Sequence, residues 1–270
     1  MKQLNELISG GEINTDVNVN QLNCDRMNAQ IGNLNEYDGY NCDECKNKGI
    51  IYYVTTYPNT DVEYVVTRDC KCKSTRATLR RAKKSGLGNV LSDCTFPKYE
   101  ATEEWQQQIK QKAQMFCKDD DARWFYIGGQ SGAGKTHICT AISGWYLKQG
   151  KDCRYMLWRD DAVKLKALVN EYEEYQKLIS EFKDVDVLYI DDFLKTQSGQ
   201  APTQADINLA FEILNNRVMD KTKITIISSE YPIAEALEFD EATIGRIYQQ
   251  AGIYKLSIDK DIKKNFRLRG

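Results

Sequence analysis

The sequence predicts an α/β fold built around one glycine-rich loop, with a small cysteine-bearing module ahead of it. Three observations carry this. Trp124-Phe125-Tyr126-Ile127 reads as a buried strand, Gly129 to Thr136 spells G-x-x-x-x-G-K-T, and Ile138 to Leu147 has the apolar spacing of a helix. Further on, Asp186-Val187-Leu188-Tyr189-Ile190 is an apolar strand that ends in two acids, Asp191 and Asp192. Upstream, Cys42 and Cys45 (C-x2-C) and Cys70 and Cys72 (C-x-C) flank two runs of β-branched and aromatic residues.

Composition sets the bounds. A chain of 270 residues suits one large domain, or an ordinary domain with a small module. With 41% hydrophobic and 28% charged residues it supports a packed core and is not wholly disordered. The net charge of −2 argues against a general polyanion binder, but the basic residues are clustered. Arg68, Lys71, Lys73, Arg76, Arg80, Arg81, Lys83 and Lys84 stand against Asp69 alone, and Lys255 to Arg269 is also basic. Met1 to Asn35 is polar and Asn-rich, with no apolar run of signal-peptide length. No stretch approaches the roughly 18 apolar residues of a membrane span, so no membrane partner is expected. Of nine cysteines, Cys24, Cys94, Cys117, Cys139 and Cys153 are scattered singly, which fits a reducing cytoplasm and not a disulfide framework.

Taken in order, residues 1–38 carry short amphipathic fragments (Leu4, Leu7, Ile8; Leu22, Met27, Ile31, Leu34) and read as an arm, either a frayed tail or a partner-docking segment. Residues 39–90 form the next module. Ile50 to Thr56 and Val62 to Thr67, separated by Tyr57-Pro58-Asn59-Thr60-Asp61, read as a hairpin that gathers Cys42, Cys45, Cys70 and Cys72 into a zinc ribbon, although C-x-C is tighter than the commonest spacing. Lys73 to Lys84 reads as a basic helix, either a solvated face or a contact for phosphate backbones. Ser85-Gly86-Leu87-Gly88 breaks it, and a boundary between about 85 and 98 separates the module from a domain over 91–270.

That domain opens with Phe96 and Tyr99, which either lie against a nucleotide base or simply pack, and with a helix from Glu103 to Cys117 capped by Thr102. In the glycine loop, Gly129, Gln130, Ser131, Gly132, Ala133, Gly134, Lys135, Thr136 and His137 form the candidate nucleotide site. Backbone N–H groups and a helix N-terminus would cradle phosphates, Lys135 would reach the β- and γ-phosphates, and the Thr136 hydroxyl would ligate Mg²⁺. Cys153 to Leu157 reads as a second strand, and one long helix is expected from about Asp160 to Phe182 with Leu165, Leu168, Val169, Tyr172, Tyr175 and Ile179 facing the core. The Val187–Ile190 strand is expected beside the glycine-loop strand, so that Asp191 would hold Mg²⁺ and Asp192 would orient and deprotonate water. Lys195 to Pro202 is a polar loop, and Thr203-Gln204-Ala205-Asp206 is a capping box that opens a helix. Lys223 to Glu230 reads as a fourth strand, Asp240 to Gln250 as a helix, and Ile253 to Leu256 as a last strand.

Together these residues resemble an AAA+ ATPase of the DnaC/DnaI helicase-loader type, in particular its short phage and prophage forms. The resemblance runs from about Cys42 to the C-terminus. It rests on the four cysteines, Phe125 to His137, Tyr189-Ile190-Asp191-Asp192, Ile226-Ile227-Ser228-Ser229-Glu230, Glu241-Ala242-Thr243-Ile244-Gly245-Arg246-Ile247, and Lys264-Asn265-Phe266-Arg267-Leu268. It implies a five-stranded parallel sheet of order 5-1-4-3-2, ATP with Mg²⁺, and Zn²⁺. Ser229 would be the sensor on the γ-phosphate, where relatives often carry Asn nearby. Arg246 would be an arginine finger completing the site of a neighbouring subunit, and Arg217 a second candidate for that contact. No room is expected after the fifth strand for a helical lid, nor for a second sensor arginine within it. The implied partners are the replicative hexameric helicase, single-stranded DNA and further copies of the chain, with DNA met through residues 68–84, the Lys195–Thr203 loop, or both. The alternatives are an IstB-like transposition ATPase and a nucleotide-gated DNA- or helicase-binding adaptor that barely hydrolyses ATP.

Overall fold

The computed structural model describes residues 18–88, 90–196 and 200–268. Leu4, Leu7, Ile8, the middle of the Lys195–Pro202 loop and Arg269 lie outside them. The chain divides into two compact units, Met1–Ala77 and Thr78–Gly270.

In the first unit, α1 (Val19–Ala29) is followed by the short α2 (Asn35–Asp38), β1 (Ile50–Thr56), β2 (Glu63–Asp69) and the start of α3 (Cys72–Lys84). β1 and β2 pair antiparallel from Ile50 with Asp69 to Thr56 with Glu63, the expected hairpin. α1 is tied to it at both ends: Asn20 donates to the Glu63 carbonyl (3.1 Å), and Asn28 both donates to the Tyr52 carbonyl and accepts from the Tyr52 N–H (2.8 and 2.9 Å). Lys48 closes the C-terminal end of α1 by donating to the carbonyls of Met27, Asn28 and Gln30. Within the arm, Val19–Ala29 is therefore a helix docked on the hairpin.

The second unit holds the rest of α3, then α4 (Val90–Asp93), α5 (Glu104–Lys118), β3 (Trp124–Gly129), α6 (Lys135–Lys148), β4 (Cys153–Leu157), α7 (Trp158–Ala167), α8 (Tyr172–Lys183), β5 (Val187–Asp191), α9 (Gln204–Met219), β6 (Ile224–Ser229), α10 (Ile233–Leu237), α11 (Glu241–Ala251) and β7 (Lys255–Ile258). Ala82 and Leu87 pack into this unit's core. Its five strands are parallel in the order β4-β5-β6-β3-β7. Numbered within the sheet this is 5-1-4-3-2, as the resemblance implied. β3, β5 and β6 are buried throughout, because helices cover both faces of a parallel sheet. Alternation along β3 sends Trp124 and Tyr126 into a core with α7, α8, α9 and α11. Phe125 and Ile127 point to the other face, with α5 and α6.

Three local expectations change. The long helix from Asp160 to Phe182 is two helices, α7 and α8, joined through Leu168 to Glu171. Leu165 and Ile179 are buried as expected, but Val169 and Tyr172 at the joint are exposed. The cap of α5 is Glu103, boxed with Gln106, rather than Thr102. β5 is not beside β3, because β6 pairs with both and lies between them. Among the described residues no helix is long and apolar enough to cross a membrane.

Candidate functional site: a phosphate-binding cavity

β3 ends at Gly129 and the chain turns at once. Gly129 has φ +112°, and a Cβ there would overlap the Ile258 carbonyl oxygen of β7, so a larger residue cannot follow this path. Gly134, at φ +81°, caps the start of α6. The loop between them opens on a cavity of about 380 Å³ lined by Ser131, Gly132, Gly134, Lys135 and Thr136 on one side and by Asp191, Asp192, Lys195, Glu230 and Arg267 on the other. Lys135 is buried, with Nζ 2.8 Å from the Gly129 carbonyl and 2.7 Å from that of Gln130. Burial pulls its pKa below the ordinary lysine value, against the opposing charges of Glu230, Asp192 and Asp191.

Not every loop residue faces the cavity. Ala133 packs in the core, the Gln130 side chain donates to the Ser131 carbonyl, and the His137 ring lies 2.9 Å from the Thr95 carbonyl and edge-on to Tyr99. Tyr99 is itself a core residue, so the packing reading of that ring holds.

The acids reach the loop across the end of β6. Thr136 Oγ1 donates to Asp191 Oδ1 at 3.2 Å, Tyr155 OH donates to Oδ2 at 3.1 Å, and the Ser228 hydroxyl also donates to Oδ1. Asp191 is thus a buried carboxylate held by three hydroxyls, paired with the Thr136 oxygen. A hydroxyl–carboxylate pair at a helix N-terminus, lining a phosphate cradle, is an oxygen donor set that could hold Mg²⁺. Asp192, at φ +52°, sits beyond the strand end, 3.4 Å from Lys195 Nζ. Ser229 does not enter the cavity. Its hydroxyl donates to the Phe193 carbonyl at 2.9 Å and accepts from the Tyr231 N–H, so the residue of this strand end that lines the cavity is Glu230.

The first unit carries a separate candidate centre. Cys42, Cys45, Cys70 and Cys72 converge with their sulfurs all within 4.8 Å of one another. The Cys42–Cys70 and Cys45–Cys72 sulfurs are 3.7 and 3.6 Å apart. A tetrahedral zinc at ~2.3 Å from each sulfur separates them by about 3.8 Å, so these four cysteines could hold one. Burial opposes ionisation of Cys45, yet the Gly49 N–H and the neighbouring thiols bring it down to about 7. All nine cysteines are free of disulfides. Arg76, from the basic stretch, is buried here between Asp38 (2.5 Å) and Asn47 (2.8 Å), and is therefore removed from any surface that could meet phosphate.

A family model described as IstB-like ATP binding protein matches residues 56–246. The chain belongs to the IstB-like ATP-binding family. Among curated relatives of this IstB-like protein, YqaM of Bacillus subtilis strain 168, itself uncharacterised, is 28% identical over 218 residues, covering 75% of this chain and 67% of YqaM. XkdC of the phage-like element PBSX in the same organism is 26% identical over 246 residues, covering 86% and 87% of the two chains. Among solved structures, the crystal structure of the DnaC helicase loader superposes with a TM-score of 0.54 at 19% identity, covering 64% of this chain and 100% of that one, which shows a shared fold.

The two arginines that the resemblance offers for cross-subunit contact differ sharply in the structure of the IstB-like chain. Arg246, on α11, is half-buried, stacks on Phe211 (4.8 Å) and does not line its own chain's cavity. Arg217 is fully buried and donates to the carbonyls of Phe182, Lys183, Val185, Asp186 and Ile224 and to the Thr225 hydroxyl. It is a structural clamp, and burial pushes its pKa down to about 10. Sequence reasoning missed Ser228, Tyr155, Glu230 and Arg267. Arg267 belongs to the Lys264–Leu268 ending already singled out. Its neighbour Phe266 donates its N–H to the Gly132 carbonyl at 3.0 Å, which brings this segment onto the glycine loop. An arginine thus faces the cavity from the segment after β7, a position not foreseen.

Proposed function

We propose that this chain is an ATP-dependent loader that binds the replicative hexameric helicase and places it on single-stranded DNA in the cytoplasm. The observation that carries the reading is a phosphate cavity at which Lys135, Thr136, Asp191 and Asp192 converge, on a fold that superposes with the DnaC helicase loader. In this reading residues 1–38 are an arm, 39–90 a zinc-ribbon module that grips the helicase, and 91–270 the ATPase domain. The relative XkdC, from a phage-like element, fits a phage-type loader.

Lys135 and the N–H groups of the loop bind the β- and γ-phosphates. Thr136 and Asp191 would hold Mg²⁺, which neutralises phosphate charge. Asp192 orients the attacking water and accepts its proton. Arg267 faces the phosphates from the same chain, and Arg246 completes the site of a neighbouring copy, so hydrolysis requires an oligomer. Ser229 supports the strand end and does not touch the nucleotide, because its hydroxyl is engaged by Phe193. Cys42, Cys45, Cys70 and Cys72 would hold zinc, whose contribution is to fold the hairpin module.

Co-sedimentation with the host's replicative helicase, with and without ATP, tests the loader reading. A complex that needs residues 1–85 supports it, and no complex in either condition removes it. The family match favours a second reading, a transposition ATPase that targets DNA with a transposase. In that case DNA binding stimulated by ATP would persist with no helicase complex. ATP binding without turnover, with and without single-stranded DNA, would instead indicate a nucleotide-gated adaptor.

A further inference from the structure

Lys195 occupies a place that the reading of the cavity as an ATP site leaves unexplained. Its Nζ lies 2.8 Å from Glu230 Oε1 and 3.4 Å from Asp192 Oδ2, so it bridges the acids at the ends of two strands. The backbone that delivers it is fixed. Asp192 and Leu194 both adopt left-handed conformations (φ +52° and +61°), and the Lys195 N–H donates to the Asp192 carbonyl at 3.0 Å. Phe193 and Leu194 are buried, and the Phe193 N–H donates to the Ser228 carbonyl at 2.8 Å. Two non-glycine residues at positive φ within three positions are strained, and such strain recurs where a side chain must be aimed. Here it turns the Lys195 side chain back over the cavity.

Charge bookkeeping across the cavity singles out the same residue. Glu230 lines the cavity, and a bare carboxylate there repels a γ-phosphate. Burial would raise the Glu230 pKa, but Lys195, with smaller help from Ser131 and Lys135, holds it below the ordinary value, so it is ionised. Lys135 hydrogen-bonds the glycine loop, where its ammonium would meet the β-phosphate of a diphosphate as well as the γ-phosphate of a triphosphate. Lys195 lies among the acids at the strand ends, on the side toward which a third phosphate would extend.

We propose that Lys195 reads the γ-phosphate: it exchanges Glu230 and Asp192 for the terminal phosphate when a nucleoside triphosphate binds, and stays on the acids when a diphosphate does. Lys195 is then what distinguishes ATP from ADP, and its release frees Asp192 to meet water. The inference rests on the ATP-site reading above and goes beyond it by assigning nucleotide discrimination to one side chain.

The test is equilibrium binding of ADP and of a non-hydrolysable ATP analogue, each with Mg²⁺, to the full chain and its variants. The wild type should prefer the triphosphate. Lys195→Met should weaken the triphosphate analogue about tenfold or more, the scale of one charge-assisted hydrogen bond, and leave ADP unchanged. Unchanged ADP binding doubles as the control for folding. Lys195→Arg, which keeps the charge, should retain most of the preference. The double variant Lys195→Met with Glu230→Gln should not recover it. Recovery in the double variant would mean that Lys195 only neutralises Glu230, and would overturn the proposal. Equal loss of both nucleotides, or loss of neither, would overturn it as well. A wild type that binds neither nucleotide would instead overturn the ATP-site reading on which the proposal stands.

Discussion

Arg217 and Arg246 lie on the packed helices α9 and α11, and the two residues do opposite things. Arg217 satisfies five buried carbonyls and a hydroxyl, so Arg217→Met leaves several buried acceptors unpaired. It should cost roughly 3–5 kcal/mol in denaturant unfolding; a loss within the error of the method would show that water replaces the clamp. Arg246 is not built into the core, and the proposed function assigns it to the site of a second copy. Arg246→Ala should leave ATP binding and the melting temperature in place and lower turnover by about a thousandfold. Parallel loss of binding would make it structural. Lys135→Ala should abolish nucleotide binding, since its ammonium is held inside the loop; hydrolysis at the wild-type rate would remove the assignment of the site.

At the scale of the element, α9 depends on its first turn. Asp206 is boxed with Thr203 and bonded to Lys166 Nζ at 2.6 Å. Burial would raise its pKa, but Lys166 and Thr203 outweigh this and hold it below the ordinary 3.8. The sign follows: the carboxylate stabilises the fold at pH above about 4, and that contribution is lost as pH falls through the lowered value. Asp206→Ala should cost ~1 kcal/mol at neutral pH and flatten the acid end of the stability curve, which urea titrations between pH 3 and 6 would measure. An acid limb identical to wild type would mean that the cap contributes nothing. The capping box was legible because four consecutive residues carry it. The hairpin, the glycine loop and the acid pair were legible for the same reason, each being a short motif with local chemistry. The break between α7 and α8 was not, because the apolar spacing continues through Val169 and Tyr172 although both are exposed. Nor was the assignment of Ser228, Ser229 and Glu230 to three different directions, which is set by how β6 meets Phe193 and Asp191 and not by the residues themselves. Arg267 reaches the cavity only because the chain after β7 folds back to Gly132, a contact between distant residues that no local pattern encodes.

At the scale of the molecule, the two units are stabilised in different ways. The second has two large apolar clusters on either face of its sheet, whereas the first gathers its buried apolar residues around four cysteines. Metal analysis should return about one zinc per chain. A strong chelator should unfold the first unit and leave the melting of the second in place, because a module this small relies on the metal for its folding energy. A metal-free protein with an intact hairpin would contradict this. The central claim is that the chain places a helicase ring on DNA at the expense of ATP. The most direct measurement is the amount of purified host helicase retained on circular single-stranded DNA, which offers no end to thread. The account predicts retention that requires both this protein and ATP, and that is lost with Lys135→Ala. Equal retention with and without the protein would contradict it.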